Sequence, residues 1–206
     1  MKVFHIFLLL ATSLPYQISW AQTADDSSKI RKHFVSTSAF MIGNLIFLEE
    51  SPRFLQLNYG YRITPKDAII VEAITWQYHA PLGVPYGPDF GSDEVKFPGF
   101  ARDYGIGLAY QRFWWKRLYT TIHATPFRQH YFDLEGEKIQ SGFQLFMVGR
   151  LGWQFRLFEQ RLFIEPSLAV THWPINTNLP ESFQAQEDRW PNYLLFEPGL
   201  HIGWNF

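Results

Sequence analysis

The last seven residues, Leu200-His201-Ile202-Gly203-Trp204-Asn205-Phe206, constrain the fold more than any other stretch. Leu200, Ile202, Trp204 and Phe206 alternate with His201, Gly203 and Asn205. A strict period of two is a β-strand whose two faces meet different surroundings. In a soluble sandwich the apolar face meets a core. In a membrane barrel it meets lipid, and the other face meets a polar lumen.

Earlier segments carry the same pattern. Leu55, Leu57, Tyr59, Tyr61 and Ile63 alternate with Gln56, Asn58, Gly60 and Arg62. Tyr104, Ile106, Leu108 and Tyr110 alternate with Gly105, Gly107, Ala109 and Gln111. Leu145, Met147, Leu151, Trp153 and Phe155 stand against Gln144, Arg150, Gly152, Gln154 and Arg156. The second face is polar or small each time, which is unlike a soluble core. Charged residues make up 18% of the chain, below the roughly 25% of soluble domains. Aromatics reach 18%, and they crowd the strand ends, as an interfacial belt requires.

Lys2, the apolar run Val3 to Leu14 and the small residues Ser19 and Ala21 read as a secretory signal cleaved after Ala21. The expected division is a signal peptide at 1–21, a flexible polar segment at 22–32 and a barrel at 33–206. Cysteine is absent, so neither a disulfide nor thiolate chemistry is available. A net charge of −1 gives nucleic acid no electrostatic hold. Outside the signal, no apolar run reaches the roughly 18 residues of a membrane helix. If the chain spans a membrane, a closed barrel is the remaining way to satisfy its backbone.

Eight strand-like segments follow, at 33–48, 53–63, 67–80, 101–114, 117–132, 140–157, 161–174 and 192–206. Tight turns at 63–67, 114–117 and 158–161 alternate with longer links at 49–52, 81–100, 133–139 and 175–191. Short turns at one end and long loops at the other are the membrane-barrel asymmetry. Pro126, Pro166 and Pro198 fall inside strands, where each removes a ladder donor, and so call for bulges or different boundaries. Strand one lacks clean alternation.

On strand count, loop parity and the terminal aromatic, the pattern resembles the small eight-stranded outer-membrane β-barrels, the family typified by the transmembrane domain of outer membrane protein A. The resemblance implies an all-β antiparallel transmembrane barrel in a Gram-negative cell outer membrane, with short periplasmic turns and longer extracellular loops. It implies outer-membrane lipid, lipopolysaccharide and the barrel-assembly machinery as partners, and Phe206, Trp204 and Ile202 as the assembly signal. No catalytic motif comes with it. The family includes adhesins, wall-linked anchors and lipid-modifying enzymes, so fold does not choose a function.

Alternation places Glu72, His123, Arg150, Glu165 and His201 on lumen sides at similar depth. A narrow lumen requires such charges to pair, so the expectation is a structural plug, with a proton relay or gated pore as the alternative. His172, beside Thr171 and with Thr177 and Glu197 in reach, is the one candidate general base for a lipid A-modifying enzyme. The deacylases' His-x-Ser spacing is missing, because Pro174 stands two residues on. Asp89, Asp93 and Glu94 do not match a calcium loop. No metal or cofactor is expected. The function expected is a non-enzymatic, structural or loop-binding protein of the cell surface with an unknown extracellular partner. A soluble periplasmic β-barrel ligand binder is the other class.

Overall fold

The computed structural model describes residues 31–46 and 50–206. The expected signal peptide at 1–21 and nearly all of the expected flexible segment at 22–32 lie outside the described residues. Nine strands form one antiparallel sheet: β1 (His33–Ser38), β2 (Leu55–Arg62), β3 (Asp67–Tyr78), β4 (Phe100–Trp115), β5 (Leu118–Phe132), β6 (Lys138–Trp153), β7 (Phe155–Leu157), β8 (Leu162–Thr177) and β9 (Tyr193–Asn205). β6 and β7 are one strand interrupted at Gln154, and both pair with β8. The sheet therefore has eight staves. It closes because β1 pairs with β9, with Val35 opposite Trp204, while β8 pairs with β6, with Thr171 opposite Val148. The fold is an eight-stranded antiparallel barrel, and closure leaves no free sheet edge to satisfy.

Three connections at one end are short: 63–66, 116–117 and 158–161. The last turns on Glu159 (φ 53°) and Gln160 (φ 65°), the positive pair that a mirrored two-residue hairpin needs. At the other end lie 39–54, 79–99, 133–137 and 178–192.

Strand one is shorter than its uncharged sequence suggests. It stops at Ser38, whose hydroxyl accepts the Phe40 N–H and caps a turn of 3-10 helix, Ala39–Ile42. The chain continues into the one-turn helix α1 (Gly43–Ile46). Its apolar residues thus belong to a connection and not to the wall. The three prolines stay in strands. Pro166 lies opposite Leu200 and Pro198 opposite Leu168 in unbroken register. The bulge of that ladder comes two residues earlier, at Phe196, with φ 60°. Pro126 pairs with Leu145 on β6, but towards β4 the ladder is interrupted between Gly105–Phe127 and Leu108–Ala124, as a missing N–H dictates.

The wall divides side chains as the alternation predicts. Outside, Ile106 is 69% and Leu108 64% exposed, and Leu55, Leu57, Ile122, Leu151 and Leu168 are all more than half exposed. Inside, the buried set holds Gln56, Asn58, Arg62, Glu72, Asp103, Gln111, Gln129, Gln144, Gln154 and Glu165. This is a polar core within an apolar shell, the reverse of a soluble domain.

Candidate functional site

The lumen is filled in layers. Nearest the short turns, Glu165 accepts hydrogen bonds from Gln154 (2.7 Å) and Gln111 (3.3 Å). Gln154 in turn accepts one from Arg156. The Arg62 guanidinium lies 4.6 Å from the Phe34 ring centre, and Phe34 meets Phe163 edge to face at 5.6 Å. Gly60 and Gly203 leave the room: an added Cβ would come within 1.9 Å of Phe34 and 2.2 Å of Phe163.

The middle layer is organised by Glu72. Its carboxylate accepts from Gln56 Nε2 (2.6 Å) and Thr125 Oγ1 (2.9 Å), and lies 3.4 Å from His123 Nδ1. Arg150 donates to Ser167 at 3.1 Å. Glu72, His123, Arg150, Glu165 and His201 all line one cavity of about 40 Å³, room for only a few water molecules. The five residues placed together on alternation thus share one lumen. They do not form one salt-bridge cluster: only Glu72–His123 is within ion-pair distance among the described residues.

Above it, Asp103 accepts from Trp76 (3.1 Å) and Gln129 (3.4 Å), and Gln129 donates to Tyr78 (2.7 Å). Trp76, Phe127, Phe146 and Trp173 form an aromatic cluster with ring centres 5.8–6.4 Å apart. The mouth is closed by helix α2 (Glu181–Glu187) from the last connection. Its Phe183 is fully buried, 4.7 Å from Phe97 and 5.3 Å from Tyr131. Glu187 latches the helix by accepting from Trp173 Nε1 at 3.0 Å and Asn176 Nδ2 at 3.4 Å. Burial raises the Glu187 carboxyl above its ordinary range. Arg62, Gln111, Gln154 and Arg156 stand on the polar faces that alternation assigns, and Asp103 shares the parity of Gly105 and Gly107, so the same reading could have found it. Glu187 could not be found that way, because it enters from a loop.

His172 does not sit in a catalytic constellation. It is outward and exposed, and its Nδ1 lies 2.9 Å from the Asn192 carbonyl. Adjacent strand residues face opposite sides, so Thr171 is buried in the lumen and is not its partner. Glu197 lies opposite Ala169, on the inward parity. The outward histidine that does meet a serine is His130, whose Nδ1 is 2.8 Å from Ser141 Oγ across the β5–β6 ladder. Sequence reading missed it because the two stand eleven residues apart. Asp93 is held by Lys96 at 2.7 Å, and no three acids or histidines converge to hold a cation among the described residues. Ile202, Trp204 and Phe206 are exposed on the outer wall.

A closed eight-stranded barrel with a sealed polar lumen and an apolar exterior is the class these features define. No family model and no curated protein sequence matches the chain. Solved structures that align with it include these two. One is Neisserial surface protein A (NspA), with 11% identity over 85% of this chain and 94% of that one and a TM-score of 0.46. The other is Ail, the attachment invasion locus protein of Yersinia pestis, solved in complex with the heparin analogue sucrose octasulfate. It gives 13% identity over the same shares and a TM-score of 0.38.

Proposed function

We propose that this protein is a non-enzymatic β-barrel of a Gram-negative outer membrane, with its long connections outside and a role in contact or envelope integrity. The observation that carries the reading is the inversion of polarity across a closed wall. Burying the outer aliphatic side chains in lipid is favourable by about 25 cal/mol per Å², and closure of the wall through the β1–β9 and β6–β8 pairings leaves no sheet edge facing lipid. The sealed lumen speaks against transport of solutes. Heat-modifiable migration in SDS gels tests the membrane assignment: a folded barrel runs fast until boiled. Extraction into detergent-free buffer with no such shift would overturn it in favour of a soluble periplasmic binder.

One observation favours a second reading. The His130–Ser141 pair faces outward near the loop end, where a lipid ester would reach it, and a histidine within 2.8 Å of a serine hydroxyl is a nucleophile–base arrangement. No carboxylate orients His130 among the described residues. Mass spectrometry of lipid A from cells with and without the protein decides the matter. An unchanged acyl pattern keeps the non-enzymatic reading. A change abolished by Ser141→Ala would replace it.

A further inference from the structure

The outer wall carries an open groove of about 750 Å³. It crosses five strands where the β4–β5 ladder is interrupted. The small outward residues Ala73, Thr75 and Pro126 stand between Leu55 and Leu57 on one flank and Phe143 on the other, with Arg128 at its loop-side rim. Beyond that rim the wall turns cationic. Arg128 lies opposite Tyr104, Arg102 opposite His130, and Lys138 opposite Phe132. Tyr104 is the centre of the patch: the Arg102 guanidinium is 5.5 Å from its ring centre and the His130 ring 5.8 Å away. The Arg102 Nε is shielded from solvent and has no partner. No carboxylate lies within 4.0 Å of Arg102, Arg128, His130 or Lys138 among the described residues. Asp133, Glu135 and Glu137 of the adjoining hairpin form no ion pair with them, and Asp133 accepts from the Glu137 N–H.

The uncompensated charges of Arg102, Arg128 and Lys138 at a membrane interface are costly unless an anion meets them, and His130 beside them serves as a hydrogen-bonding group. With strands about 4.8 Å apart and residues about 3.4 Å apart along them, the patch spans about 10 Å across β4 to β6 and about 13 Å along the strands. That footprint exceeds one phosphodiester and matches a head bearing two phosphates. We propose that this face binds a bisphosphorylated, multiply acylated glycolipid of the lipid A type. Arg102 and Arg128 engage one phosphate, Lys138 and His130 reach toward the second, and one acyl chain lies in the groove beside Pro126. Arginine suits this task because its planar fork meets phosphate oxygens in pairs. The site deepens the membrane reading proposed above and depends on it.

The test uses the full-length mature barrel refolded in a zwitterionic detergent, with fast gel migration as proof of folding. Binding of hexa-acylated bisphosphoryl lipid A is measured by native mass spectrometry and by competition with its monophosphoryl form. The expected result is retention of the bisphosphoryl lipid, at least tenfold weaker retention of the monophosphoryl form, and at least tenfold loss in Arg128→Gln/Lys138→Gln. Ala73→Phe, which fills the groove from its lipid side, should weaken binding with the cations intact. Equal binding by the double variant would overturn the proposal. So would equal retention of phosphatidylglycerol from mixed micelles, which would mark a general anionic surface. Failure of the membrane reading shows up separately, as loss of the heat shift and of insertion into phosphatidylcholine vesicles.

Discussion

The Glu72 carboxylate on β3 accepts a hydrogen bond from Thr125 on β5 at 2.9 Å, reaching across β4 above Gly107. The bond exists because Gly107 has no side chain: a Cβ there would stand 2.2 Å from Thr125 Oγ1. Gln56 and His123 approach the same carboxylate from β2 and β5. One acid therefore ties three staves together inside the wall.

Glu72→Leu should cost about 3–5 kcal/mol, because it orphans several buried polar partners at once. Gly107→Val should cost about 1–3 kcal/mol through overpacking and loss of the Thr125 bond. Gly149→Val is the control, since an added Cβ there meets nothing within 4 Å. Urea unfolding in detergent, followed by tryptophan fluorescence, measures all three. An unaltered midpoint for Glu72→Leu would show that the lumen network does not hold the barrel.

The floor of the lumen makes a coupled prediction. Gly60→Ala should displace the Phe34 ring and weaken its contact with Phe163. Phe34→Leu should relieve the crowding, so the double variant should be more stable than the sum of the single costs by about 0.5–3 kcal/mol. Simple additivity would mean that the ring moves freely.

The α2 latch should depend on pH. Burial raises the Glu187 carboxyl above its ordinary value of about 4.5, so the docked helix binds its proton more tightly than the released one. Docking is then strongest in acid and weakens as pH rises from about 4.5 through the raised value. Limited proteolysis of residues 178–192 in detergent should be slower at pH 5 than at pH 8. Glu187→Gln should flatten that difference. A profile that slopes the other way would rule out the latch.

Conductance gives a fourth test. The floor, the Glu72 layer, the aromatic cluster and α2 block the lumen independently. Planar bilayers should therefore show no steady single-channel current, and Phe183→Ala should not create one. A stable current in either protein would contradict the packing.

Period-two alternation along the strands carries the facing and the shared lumen of Glu72, His123, Arg150, Glu165 and His201, and the strand-like segments between alternating short and long links carry the strand number. Period two is imposed directly by the pleat, so it survives in the sequence. Strand one was overextended because Ala39–Ile46 is apolar for a different reason: it is part of a helical connection after a serine cap. His172, the one candidate base for the enzymatic alternative, gains nothing from Thr171 beside it in sequence, because adjacent strand residues face opposite sides of the wall. The His130–Ser141 pair, the cationic patch around Tyr104 and the Glu187 latch arise from cross-strand register and loop docking. Those are long-range relationships that no local period encodes.

Among the connections at the long-loop end, 79–99 and 178–192 are pinned into the mouth through Phe97 and Phe183, whereas 133–137 is a short hairpin closed through Asp133 and Glu137, touching the neighbouring connection at Gly99. Leu134 at its tip is 78% exposed, and Gly136 beyond it has φ 84° with open space around it. Here lies the natural graft point of the molecule. A foreign epitope spliced between Glu135 and Gly136 would ride on a rigid stalk, with the cap held by other connections and the β5–β6 ladder beneath it intact.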